Sequence, residues 1–156
     1  MLNKNQKSKA NAGFTIIEVL IVLAIAGLIL LIVFLAVPAL QRNSRNTAMK
    51  NDVQNVVGGV AEYQSANNGA QPKKVEGTGT INYTGSTGTN STSINIQGST
   101  EVTSQTTAIA DSTKPDPGSI LVSIGYRCDG TKSTRAISAV YSIENTGGSV
   151  RQCTDS

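Results

Sequence analysis

From Phe14 to Leu40 the chain runs for 27 residues with a single charge, Glu18. As a helix this run extends about 40 Å at 1.5 Å per residue, whereas a bilayer core needs roughly 20 apolar residues. It is longer than a secretory apolar region of about 7–15 residues. No small-residue cleavage site follows it, since Pro38-Ala39-Leu40-Gln41-Arg42 is not one. Residues 14–40 therefore read as a transmembrane helix. Lys4, Lys7 and Lys9 flank one end and Arg42, Arg45 and Lys50 the other, a near balance on the positive-inside count. Two late cysteines, Cys128 and Cys153, tilt the orientation: an even pair in a polar region suggests a disulfide in an oxidising compartment, outside the cytosol. The other reading of the pair is two buried free thiols.

Charge excludes more than it suggests. Lys4, Lys7 and Lys9 are the only charges in the first 17 residues, and the remaining basic residues balance the 10 acidic ones. The chain without that segment is about neutral, so its basic isoelectric point reports a leader rather than a polyanion partner. Lys73-Lys74 could touch nucleic acid or a surface, but a neutral chain makes nucleic-acid binding weak at most. Histidine is absent, which removes the commonest general base and metal ligand. With carboxylates scattered singly there is no nucleophile–base constellation, so an enzyme is not expected. No cofactor or metal is called for.

Glu18 is the anomaly of the apolar run. A carboxylate inside such a span costs roughly 2.5–3.5 kcal/mol on insertion scales and calls for a partner or a function. A simpler reading places it near the helix end, partly solvated and complementing the helix dipole. Its surroundings carry a further signal. A short basic segment ends in Gly13, then come Phe14-Thr15-Ile16-Ile17-Glu18 and the apolar run. This order resembles the class III signal of type IV pilins, and it covers roughly the first third of the chain. The resemblance implies cleavage after Gly13 by a membrane peptidase, N-methylation of Phe14 and a filament-assembly role for Glu18. It also implies the partners of that family: the peptidase and methylase, a platform protein and assembly ATPases. The family often carries a helix proline earlier than Pro38, which here removes a backbone donor and predicts a kink or an unwound turn.

Past Leu40 the period changes. Met49, Val53, Val56, Val57, Val60 and Tyr63 recur at spacings of three and four, between Arg45, Lys50, Asp52, Gln54, Asn55, Glu62 and Gln64. That is an amphipathic helix with one apolar stripe, weakened at Gly58-Gly59 and stopped by Asn67-Asn68-Gly69. Residues 69–118 read as loop-rich, with Ile81/Tyr83 and Ile94/Ile96 hinting at two short strands. Gly77-Thr78-Gly79-Thr80, residues 85–90 and Lys114-Pro115-Asp116-Pro117-Gly118 read as loops or turns. Residues 119–156 read as an antiparallel meander: Ile120 to Tyr126, a turn at Asp129-Gly130, Ala136 to Ile143, a turn at 145–148, and Ser149 to Cys153.

The expected fold is therefore α+β and pilin-like: a long helix, transmembrane over 14–40 and amphipathic over 41–68, packed on a small C-terminal antiparallel sheet and preceded by a leader at 1–13. The expected function is a structural subunit of a type IV pilus-like filament. It would be a homopolymer, inserted in the cytoplasmic membrane as a precursor and then carried in an extracellular filament serving adhesion, twitching or DNA uptake. Two readings compete: a pseudopilin of a secretion or DNA-uptake machine, and a non-polymerising single-pass anchor carrying a binding module. Glu18 speaks against the anchor, which needs no acid there. The cysteine pair leans away from the major secretion pseudopilin, which usually lacks a disulfide. The Ser/Thr-rich loops could carry O-linked sugars but read first as solvated.

Overall fold

One α-helix, α1, spans Ile16–Ala66, 51 residues. The structure, a computed structural model, describes residues 13–86, 90–96 and 98–156. The chain divides into two compact units, one ending at Leu40 and the other comprising Gln41–Ser156. They are taken separately, and the second is described first.

The stripe read from the sequence is the buried face of the helix in this unit. Met49, Val53, Val56, Val60 and Tyr63 are buried, with Val57 packed against them. Two residues depart from the sequence reading. Asp52 was expected on the polar face but is 2% exposed, because it borders the stripe and Thr100 closes over it, donating its hydroxyl to Oδ2 at 2.7 Å. Gly59 is also buried, against the ring of Tyr83. The helix stops where expected: Asn68 adopts φ 53°, the Gly69 N–H donates to the Gln64 carbonyl at 2.7 Å, and the Asn67 amide donates to the Tyr63 carbonyl at 2.9 Å. These bonds satisfy carbonyls that the last turn leaves without helical donors.

Seven strands follow: β1 Lys74–Thr78, β2 Thr80–Thr84, β3 Thr92–Asn95, β4 Glu101–Gln105, β5 Ser119–Tyr126, β6 Lys132–Asn145 and β7 Gly148–Asp155. They form one sheet in the order β3-β2-β1-β4-β5-β6-β7. The expected meander is present as β5–β6–β7, and the two hinted strands as β2 and β3. The sheet is larger than residues 119–156, however, since β1 to β4 lie within the stretch read as loop-rich. It is antiparallel except for β4 and β5, which pair in parallel. Alternation places Ile120, Val122 and Ile124 of β5 and Ile137, Ala139 and Tyr141 of β6 in the core that contains the helix stripe, together with Val75, Ile81, Tyr83 and Val102. The hydroxyl of the fully buried Tyr83 donates to the Val56 carbonyl at 2.8 Å. Its acidity is suppressed by burial and by the nearby charge of Glu62.

The segment between β4 and β5 straps the opposite face. Ile109 is buried there, Ser123 donates to the Thr107 carbonyl at 2.6 Å, and Ser142 donates to the Pro115 carbonyl at 2.7 Å. Buried serines thus satisfy an irregular backbone that could not otherwise leave water. A clamp also ties the helix to the end of β6. Arg45 grips Glu144 in a fork, Nε to Oε1 at 2.9 Å and Nη2 to Oε2 at 2.7 Å. Asn46 exchanges two bonds with the Glu144 backbone at 2.7 and 2.8 Å. The guanidinium holds the Glu144 carboxyl below the usual range.

Cys128, in the β5–β6 connection, is bonded to Cys153 in β7, so the free-thiol reading does not hold. The Cys128 N–H also donates to Asp155 Oδ1 at 2.7 Å. The sequence separation of 25 residues corresponds to roughly 3.5 kcal/mol in the loop-entropy model. Cys153→Ser is expected to destabilise the unit by about that amount. Non-reducing peptide mapping should recover the 128–153 link, and thermal melting of the full chain in detergent should show a lower midpoint after reduction. An unchanged midpoint would mean that the bond adds nothing.

Candidate functional site

The unit ending at Leu40 holds the residues singled out by the sequence. Gly13, Phe14 and Thr15 precede the helix in non-helical conformation. Every residue from Phe14 to Leu40 is exposed in the single chain, among them Phe14 at 87% and Phe34 at 75%. The reason is compositional: Ile, Leu, Val and Ala surround this part of the helix on all sides, so no stripe exists for one neighbouring element to cover. Within α1 the segment is long and apolar enough to cross a membrane. Pro38 lies inside α1, which is helical on both sides of it. Having no N–H, Pro38 cannot donate to the carbonyl of Phe34.

Glu18 sits in the first turn. The Thr15 N–H and hydroxyl both donate to Glu18 Oε2, at 3.1 and 2.9 Å, and the Glu18 N–H donates to Thr15 Oγ1 at 3.3 Å. The Thr15 carbonyl accepts the first helical bond, from Val19 at 3.3 Å. This is a reciprocal capping box, in which Thr15 ends the coil and Glu18 closes the turn, satisfying donors that the helix start leaves open. The sequence reading gave Thr15 no structural role. The signal was there, since Thr-x-x-Glu before an apolar run is the signature of such a cap.

The box explains how a carboxylate is held at this point of an apolar helix: it accepts two bonds from Thr15 and lies at the positive end of the helix dipole. It does not balance the charge. Beside it, Phe14, Val19, Val22 and Leu23 line a groove of about 380 Å³ in which Glu18 is the one ionisable group. The structure thus brings Phe14 and Glu18 to the same groove, with Gly13 immediately before them. Lys4, Lys7 and Lys9 lie outside the described residues, as does part of the loop read over 85–90.

Residues 8–34 match the family described as the prokaryotic N-terminal methylation motif. That motif is the class III signal of type IV pilins, and it indicates a pilin-like or pseudopilin-type protein, with the processing peptidase and the assembly machinery implied. No curated protein and no solved structure matches the chain.

Proposed function

We propose that this protein is a subunit of a type IV pilus-like surface filament, made as a membrane-inserted precursor and polymerised with copies of itself. The observation that carries the reading is the methylation motif joined to an exposed apolar helix whose one charge, Glu18, lies four residues after Phe14. Cleavage after Gly13 leaves an ammonium on Phe14. In a stack of parallel helices the ammonium of one copy approaches Glu18 of another, and two charges that are each costly in hydrocarbon neutralise each other. The pair also sets the axial register, because any other stagger leaves both unpaired. Ala24, Ala26 and Gly27 permit close helix approach. A bend at Pro38 belongs to the same proposal.

Intact-mass measurement of the mature protein tests the processing step. The expected species begins at Phe14, carries one added methyl group and lacks Lys4, Lys7 and Lys9. Gly13→Val should leave the full-length precursor in the membrane, since a β-branched side chain fills the space where the peptidase meets hydrogen. Filaments built from uncleaved chains would overturn the reading.

A further inference from the structure

The sheet does not close on itself: β3 and β7 are its two edges. β7 runs with β5, since β7 is antiparallel to β6 and β6 to β5, and β5 runs with β4. From β4 the steps to β1, to β2 and to β3 are all antiparallel, so β3 runs against β4. The two edge strands therefore point in opposite directions.

Alternate residues of an edge strand turn their backbone groups away from the sheet. The Ser156 N–H donates to the Ile137 carbonyl, and the Ile96 N–H to the Gly79 carbonyl. With the registers of β7 on β6 and β3 on β2, these bonds set the phase. Ser149, Arg151 and Cys153 of β7 turn N–H and C=O outward, as do Ser93 and Asn95 of β3. Among the described residues no backbone group bonds to them.

Edge strands are commonly guarded by lysine, proline or a bulge. Neither β3 nor β7 contains lysine or proline, and both pair with their neighbours without a register shift. The one cation of β7, Arg151, is folded toward Asp111, Nη2 to Oδ1 at 3.6 Å, with Nε and Nη2 buried. Asp155, at the end of β7, accepts from the Cys128 N–H. Val150 of β7, 41% exposed, is the one large apolar side chain left exposed in Gln41–Ser156 among the described residues. It lies opposite Ile143, and Ile94 of β3 lies opposite Ile81. Ile81, Ile94 and Ile143 all belong to the core on the helix side, so Val150 and Ile94 share that face.

A filament holds its copies in one orientation, through contacts in which one surface meets a different surface of the next copy. In that arrangement β7 of one copy and β3 of the next are antiparallel, the more stable pairing. We propose, on the filament reading above, that β7 of one copy adds to β3 of a second copy, with Val150 opposite Ile94. Ser149 then meets Asn95 and Arg151 meets Ser93, each pair exchanging both backbone bonds, about four in all. Val150 and Ile94 fall at the site between them, where no backbone bonds form and side chains come closest. A slip of one residue would set outward groups against inward ones and part the two apolar side chains. β3 is only four residues long, so the ladder buries far less than the roughly 1,200 Å² of a stable free complex. The contact forms where the polymer already holds copies side by side.

Hydrogen exchange on wild-type filaments is the first test. The amides of Ser149, Arg151, Ser93 and Asn95 should exchange about tenfold more slowly in filaments than in the detergent-dispersed chain. Equal rates in the two forms would sink this contact alone, whereas a chain that forms no filaments sinks the filament reading and this contact with it. Slowed exchange in β7 without slowed exchange in β3 would mean that another partner covers the edge, and the contact is again overturned. Proline gives the second test, in cells with no wild-type copy. Ser149→Pro and Ser93→Pro each remove one outward donor, at positions where an edge strand tolerates proline. Membrane levels and the 128–153 link should be unchanged, while sheared-filament yield falls about fivefold, the worth of one hydrogen bond. Ser149→Ala and Ser93→Ala keep the N–H and should assemble normally. Proline variants that assemble like wild type, or alanine variants that fail as badly as proline, would overturn the proposal. If a proline variant loses its 128–153 link, the exchange rates of wild-type filaments decide.

Discussion

Glu18→Val is expected to leave the subunit in the membrane at normal levels and to abolish or sharply reduce its entry into filaments. The two effects have opposite signs at the level of the single chain. Removing the carboxylate eases insertion, since a charge in hydrocarbon costs roughly 2.5–3.5 kcal/mol. Loss of the capping box returns a smaller penalty of roughly 1 kcal/mol at the helix start. In the polymer, the neighbour's Phe14 ammonium would be drawn among apolar side chains with no counter-charge. An unpaired buried charge costs roughly 3–5 kcal/mol, repeated at every subunit. Glu18→Asp keeps the charge, shortens its reach by a methylene and should fall between valine and wild type. Thr15→Val removes the hydroxyl that bonds Glu18 but leaves the acid, so it should weaken assembly far less than Glu18→Val does. The measurement compares membrane-fraction and sheared-filament levels in cells without a wild-type copy. Normal filaments from Glu18→Val would show the acid to be incidental and would favour a minor subunit that rides on other pilins.

Gly59→Val is expected to destabilise the Gln41–Ser156 unit by about 3 kcal/mol, an overpacking cost. Gly58→Ala, one residue away, should stabilise it by about 1 kcal/mol through helix propensity. A Cβ at Gly58 meets nothing within 4 Å, whereas one at Gly59 would fall on the Tyr83 ring, 2.6 Å from Cζ. That ring is fully buried and its hydroxyl is bonded to the Val56 carbonyl, so it cannot swing aside without breaking a buried hydrogen bond. Urea melting of the full chain in detergent, followed by circular dichroism, separates the two. Equal and small effects would mean that the helix and β2 do not approach as closely as the structure places them.

The glycine pair shows where sequence reasoning reached its limit. Both residues read as one weak point, because helix propensity treats every glycine alike; only the tertiary contact with Tyr83 tells them apart. The helix itself was legible because an unbroken apolar run, a stripe at spacings of three and four and a sharp stop follow one another along its 51 residues. Strands β5 to β7 were legible because Ile120 to Tyr126 and Ala136 to Ile143 alternate with enough apolar residues to mark a face. Strands β1 and β4 were not. Lys74–Thr78 and Glu101–Gln105 each bring a single buried apolar residue, Val75 and Val102, and a period of two cannot be seen in one residue. The parallel pairing of β4 with β5 depends on a strap whose burial is arranged by serine hydroxyls, a bond pattern that leaves no periodic trace. At the candidate site, Gly13, Phe14 and Glu18 were legible through their order and spacing. The link from Thr15 to Glu18 could have been read from the same five residues.

The strand order has a consequence for how the unit comes apart. β3-β2-β1 and β5-β6-β7 are each runs of sequence neighbours, and β4 is the one strand that joins them. Its two seams are unequal. Five residue pairs connect it to β5, but only Gly77↔Val102 and Thr78↔Glu101 connect it to β1. The β1–β3 side has no disulfide, while β7 is tied by Cys153 to the connection before β6. Local opening should therefore begin at the β1–β4 seam, where the fewest ladder bonds must break at once. Backbone amides of β1 to β3 should exchange with solvent hydrogen well before those of β5 and β6, and a chain under load would release its first three strands while the last three stay folded.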